Sequence, residues 1–79
     1  MKTNGNNKIK EGMKVIYRGS WGYGEPKETS VTDIELCECE NEKYGTPVKE
    51  AAVEDIRRCV LILADHHWCY GWQVEELIG

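Results

Sequence analysis

The sequence predicts a mainly β fold, a small barrel of about five short strands with one or two short helical segments, and three observations lead there. A chain of 79 residues has room for one hydrophobic core and not for a separate cofactor-binding domain. Its apolar residues fall in short runs rich in Val, Ile, Leu, Tyr and Trp that stop at glycines or polar turns. These runs also follow one another closely, without the long helical stretches of an alternating α/β fold.

Residues 1–8 (Met-Lys-Thr-Asn-Gly-Asn-Asn-Lys) have no hydrophobic period, so a disordered basic arm is expected there, followed by a single small barrel domain over 9–79. Met13 to Arg18 reads as a strand with Met13, Val15 and Tyr17 on one face. Gly19 ends it. The segment Gly19-Ser-Trp-Gly-Tyr-Gly-Glu-Pro alternates glycine with aromatic residues, which predicts a wide loop presenting Trp21 and Tyr23. A second strand, about Thr29 to Glu38, carries Ile34 and Leu36 on one face, with Val31 out of phase. A bulge near Thr32 or Asp33 reconciles the two and curls the sheet.

Glu40 to Gly45 makes a polar loop. Thr46-Pro47 suits a helix start, and Ala51, Ala52 and Ile56 supply an apolar face. The rival is a short strand at Val48 to Val53 with a turn at Glu54 to Arg57; the two alanines tilt residues 47–57 towards helix. Cys59 to Ala64 is apolar on both faces and therefore an interior strand. Asp65-His66-His67 forms a hairpin turn, Trp68-Cys69-Tyr70 returns as the partner strand, and Gly71 breaks it. Val74, Leu77 and Ile78 sit at helical spacing, which predicts a short helical turn plugging one end of the sheet.

Ten basic against fourteen acidic side chains give a net charge of −4, unevenly spread. Residues 1–18 hold Lys2, Lys8, Lys10, Lys14 and Arg18 against Glu11, a net +4, and residues 19–79 hold a net −8. Nucleic-acid binding is disfavoured, because its affinity comes from clustered Lys and Arg displacing counterions. No apolar run approaches the ~18 residues of a membrane span, and the polar N-terminus lacks a signal peptide's apolar core. A cytoplasmic protein with reduced cysteines is expected.

The number, length and order of these elements, with an aromatic loop between the first two strands, resemble an SH3-like β-barrel, an analogy of fold that implies no particular function. Gly12-Met13 with Val15, Trp21-Gly22, Ile34-Glu35-Leu36-Cys37, Lys43-Tyr44-Gly45 with Pro47-Val48, and above all His67-Trp68 with Tyr70-Gly71 and Gln73-Val74 also form a pattern. Over most of residues 12–75 it resembles a group of short, uncharacterised proteins encoded by phages and prophages. Members of that group often carry an Asn-Gly-type turn ahead of the tryptophan, where this chain has Asp65-His66-His67. The resemblance transfers no catalytic or binding residues.

Cys37, Cys39, Cys59 and Cys69 with His66 and His67 offer the donors of a structural zinc site. Zinc-binding pairs stand roughly two to four residues apart on a knuckle, whereas Cys37 and Cys39 flank one residue in a strand, so neither metal nor cofactor is predicted. The thiols are read as packing groups. A Cys–His pair, Cys69 or Cys59 with His66 or His67, lacks any sequence element for an oxyanion hole. A chain that buries only about 60% of its unfolded surface also has little room for a catalytic pocket, so no enzymatic activity is expected.

Phe is absent, and Trp21, Trp68, Trp72, Tyr17, Tyr23, Tyr44 and Tyr70 supply every ring. Tyr17, Trp68 and one of Tyr70 or Trp72 are expected in the core. Trp21 and Tyr23, meeting Tyr70 or Trp72 at one rim, would form a recognition surface. Asp33, Glu35, Glu38, Glu40 and Glu42, extended by Glu25 and Glu28, concentrate negative potential on one strand and its loops. The sequence therefore predicts a non-catalytic binding module that docks a host or phage protein through Trp21, Tyr23, Tyr70, Trp72, Glu35 and Glu38. The alternatives are a protein that sequesters a small molecule or nucleotide, countering host defence, and a zinc-stabilised structural module. An exposed edge strand leaves room for a homo-oligomer.

Overall fold

Residues 1–79 of the computed structural model form eight strands and three 3-10 turns. The strands are β1 (Lys8–Lys10), β2 (Lys14–Arg18), β3 (Pro26–Leu36), β4 (Thr46–Val48), β5 (Glu50–Ala52), β6 (Cys59–Leu63), β7 (Trp68–Tyr70) and β8 (Val74–Leu77). The 3-10 turns cover Ser20–Gly22, Val53–Arg58 and Gly71–Gln73. The fold is mainly β, as the short apolar runs predict. Neighbouring strands follow the order β7-β6-β3-β2-β8, with β4 on the free side of β3 and β1 paired separately to β5. The end strands β7 and β8 are not paired to each other, so the sheet is open along its hydrogen bonds.

The eleven-residue β3 organises the molecule. Its first half pairs with β2, from Arg18 opposite Pro26 to Lys14 opposite Ser30, and its second half lies between β6 and β4. The register against β6 shifts between Val31 and Asp33, at the point where the hydrophobic alternation breaks. The extra residue turns both Val31 and Ile34 inward, opposite Leu63 and Leu61. The remainder of the strand then presents Asp33 and Glu35 outward.

A second bulge explains why the tail is not helical. Val15 lies opposite Leu77 and Tyr17 opposite Val74, so three residues of β2 span four of β8 and the register shifts between Ile16 and Tyr17. Val74 and Leu77 therefore both face the core at a spacing that mimics a helix, while the chain is a strand. The helical expectation for residues 47–57 also gives way to short strands and a 3-10 turn. Pro47 pairs opposite Glu35 on an edge strand, where its missing N–H costs nothing, and Ala51 pairs opposite Ile9. Strand pairing outweighs the modest helix preference of two alanines.

Of residues 1–8, expected as a disordered arm, Lys2, Asn4 and Asn6 lie against β8, and Lys8 pairs opposite Ala52 of β5. The Lys2 amide donates to the Glu75 carbonyl at 2.7 Å, the Leu77 amide donates to the Lys2 carbonyl at 2.9 Å, and Asn4 Nδ2 donates to the Leu77 carbonyl at 2.9 Å. Asparagine side chains supply the donors that the absence of hydrophobic period conceals.

Fourteen buried residues form the main core, among them Ile9, Val15, Tyr17, Val31, Ile34, Ile56, Leu61, Leu63, Val74 and Leu77. Fully burying each Val, Leu or Ile contributes about 1.5–3 kcal/mol. β6 serves two faces, with Cys59, Leu61 and Leu63 inside and Val60 in a second cluster with Cys37 and Tyr70 outside. No helix is long and apolar enough to cross a membrane.

Candidate functional site

The outer face of the sheet formed by β4, β3, β6 and β7 carries side chains in rows. Asp33 and Glu35 stand on β3, Ile62 and Val60 oppose them on β6, and Trp68 and Tyr70 oppose those on β7. The alternation that sends Ile34, Leu61 and Cys69 inward sends these residues outward. A row of carboxylates, a row of aliphatic groups and a row of rings thus lie side by side.

The ring row continues past the sheet into a four-membered aromatic stack. Tyr70, 4% exposed, sits at its centre. Trp72 stacks on it at 5.9 Å between centroids and 10° between planes, and Trp68 meets it edge-on at 5.2 Å and 85°. Trp21 reaches across from the loop after β2 and lies 5.6 Å from Tyr70 and 6.1 Å from Trp72. Such pairs add about 0.5–1.5 kcal/mol each beyond their buried area.

Two polar residues fix this stack. Gln73, buried, accepts the Tyr70 amide on Oε1 at 2.9 Å and donates from Nε2 to the Arg18 carbonyl at 2.9 Å, tying the Gly71–Gln73 turn to the end of β2. Asn41, in the left-handed region at φ 64°, accepts the Trp72 indole N–H at 3.0 Å on its side chain, and its carbonyl faces the Tyr70 hydroxyl at 3.4 Å. Neither residue carries a hydrophobic or charge signal, which is why the sequence does not reveal them.

Trp21 has an unusual backbone. Ser20 (φ 51°), Trp21 (φ 56°, ψ 33°) and Gly22 (φ 87°) are consecutive left-handed residues. A bulky residue held there costs of order 1–3 kcal/mol. Yet Trp21 remains 64% exposed, so burial offsets only part of that cost. The loop holds an indole in a fixed place and leaves most of it in solvent.

The predicted residues separate into two groups. Trp21, Tyr70 and Trp72 come together, and Glu35 stands on the same sheet face. Tyr23, 92% exposed, joins none of the ring pairs, and Glu38 lies in the loop after β3, exposed. Trp68, expected in the core, is 46% exposed, because outward alternation from the buried Cys69 puts it on the surface. It lines three cavities, one beside the β6–β7 turn with His66 and His67, and two adjoining ones of about 250 and 300 Å³, the first with Glu35, Lys43, Tyr44, Val60 and Ile62 and the second with Ser20, Trp21, Lys43, Tyr70 and Gln73. The Lys43 ammonium lies 5.8 Å from the Trp68 centroid, between them.

The thiols do not form a site. Cys37, Cys59 and Cys69 are buried and Cys39 is exposed, all unbridged. Burial pushes Cys59 up to about 11 and Cys69 up to about 12, with the Asp55 and Asp65 charges adding to the respective shifts, so both remain thiols at neutral pH. No three His, Cys, Asp or Glu side chains are gathered around a common point for a metal ion. Elsewhere, the buried Tyr17 hydroxyl donates to Asp65 Oδ2 at 2.6 Å, and Asp65 Oδ1 accepts the His67 amide at 3.1 Å. That carboxylate holds the β6–β7 turn, with His66 left-handed at φ 70°. No family model, curated protein or solved structure matches this chain.

Proposed function

We propose that this chain is a non-catalytic binding module of the phage type, built as an SH3-like barrel, that docks a host or phage protein through the aromatic loop and the acidic strand. The observation that carries the reading is Trp21, strained in its backbone, packed on Tyr70 and Trp72, and still mostly exposed. Large aromatic side chains left in solvent beside a well-packed base are the usual anchors of protein interfaces. The strand order, the bend in β3 and the 3-10 turn between β7 and β8 support the barrel. A face apolar on β6 and rimmed by carboxylates supports docking over nucleic-acid binding.

Trp21→Ala and Tyr23→Ala are expected to keep the wild-type far-UV circular dichroism and to lose most of the capture of a partner from host lysate, since anchor residues carry about 2 kcal/mol or more. Capture undiminished in both variants rejects the reading.

A further inference from the structure

The two cavities that Trp68 and Lys43 line together belong to a longer trough. A further cavity, lined by Glu11, Asp33, Ile34, Glu35, Pro47, Val48, Lys49 and Ile62, shares Glu35 and Ile62 with the first of them. The trough therefore crosses β4, β3, β6 and β7 and ends at Trp21. Four strands at about 4.8 Å spacing span roughly 14 Å, the reach of four or five residues of extended chain at about 3.3 Å each.

Its two ends differ in charge. At the β3–β4 end Glu11, Asp33 and Glu35 face one ammonium, Lys49, and none of the three carboxylates is in an ion pair. Glu35 spends Oε1 on the Gly45 amide at 2.9 Å, and Asp33 has no side-chain partner. At the Trp68 end the rings and Ile62 dominate, and the Lys43 ammonium lies 5.8 Å from the Trp68 centroid. A second cation at that end would be repelled. The trough thus fits a cationic group over β3 and apolar groups over β6 and β7.

Building on the docking reading above, we infer that the partner contributes an extended segment of about five residues, with arginine or lysine over Asp33 and Glu35 and apolar side chains over Ile62 and Trp68. The carboxylate row supplies charge complementarity at the β3 side, and the aliphatic and ring rows supply the buried area. Desolvating unpaired carboxylates under an uncharged segment would cost free energy that a guanidinium or ammonium recovers.

The test is a chemical-shift titration of the full chain with the pentapeptide acetyl-Arg-Arg-Ala-Leu-Leu-amide. The comparison peptides are acetyl-Glu-Glu-Ala-Leu-Leu-amide and acetyl-Arg-Arg-Ala-Ser-Ser-amide. The first is expected to move the Asp33, Glu35 and Ile62 amides and the Trp68 indole N–H, more weakly as salt rises, and the other two to move them far less. The double variant Asp33→Asn, Glu35→Gln keeps side-chain shape and the Gly45 contact, and is expected to weaken that binding about fivefold. Equal shifts from the glutamate peptide, or binding unchanged in the double variant, overturn the inference. Shifts of these resonances with protein concentration alone assign the face to a second copy and overturn it too. If the arginine peptide moves nothing at millimolar concentration while Trp21→Ala still abolishes capture, docking stands and this partner chemistry falls.

Discussion

Gly71→Ala is expected to lower the melting temperature by about 15 °C. A Cβ at this position would lie well inside 3.0 Å of the Ile56 carbonyl oxygen and 2.9 Å from Ile56 Cγ1. Main chain cannot step aside as a side-chain tip can, so either the Val53–Arg58 turn or the Gly71–Gln73 turn must move. Overpacking of this kind costs about 3 kcal/mol, and each kcal/mol corresponds to about 4–8 °C in a domain of this size. Gly71 also separates Tyr70 from Trp72, so any shift opens the ring stack, and near-UV circular dichroism should weaken with the melting temperature. Gly19→Ala is the control, because an added Cβ there meets nothing within 4 Å and φ is −72°. A Gly71→Ala protein that melts as the Gly19→Ala protein does would show that the two 3-10 turns are not in firm contact.

Tyr17→Phe is expected to cost about 1.5–3 kcal/mol at neutral pH, because it removes a hydrogen bond to a charged group and leaves Asp65 partly buried without its closest donor. The pH dependence separates this from a packing loss. Burial alone would raise the Asp65 carboxyl, but the Tyr17 hydroxyl together with the His67 amide and imidazole holds it below its ordinary 3.8. A carboxyl depressed in the folded state stabilises the protein above its unfolded value, and that contribution is lost as pH falls through the lower, folded value. The wild-type advantage over Tyr17→Phe should therefore shrink in acid below about pH 4. Burial first, then the hydrogen bond and charge of Asp65, raise the Tyr17 phenol above its ordinary 10. The unfolded chain then releases this proton before the folded one, so wild type should lose stability as pH rises above about 10 while Tyr17→Phe is spared that loss. Urea denaturation at acidic, neutral and alkaline pH checks both limbs. A difference constant across that range would mean the hydroxyl contributes only volume.

The sequence was informative where alternation is simple or its failure has one remedy. Val31 and Ile34 cannot share a face of a regular strand, and the register shift between Val31 and Asp33 is that remedy. Cys59 to Ala64 reads directly as a strand apolar on both faces, which the structure forms over Cys59–Leu63, and the Asp65-His66-His67 turn follows it. Val74 and Leu77 misled because a bulge in the pairing with β2 produces the same spacing as a helical turn, and only the partner strand distinguishes the two. Residues 46–52 misled because their pairing partners, Glu35 in β3 and Ile9 in β1, are distant in sequence. At the candidate site, Trp21, Tyr70 and Trp72 were legible as rings. Hydrophobicity predicts an inward Trp68 because it marks a side chain as worth burying and leaves its direction to the neighbours. Asn41 and Gln73 were not legible, since a hydrogen bond across the fold leaves no local pattern.

The left-handed pair Ser20 and Trp21 bears on chirality. An L-residue there has its Cβ crowded against the following carbonyl, whereas the mirror-image isomer has its own minimum in that quadrant. A chain assembled by chemical ligation with D-alanine in place of Ser20 would settle into this turn without the penalty. The same enantiomer at Val15, paired on both sides within β2, would break the sheet. At residue 20 the handedness of the natural building blocks works against the shape they adopt.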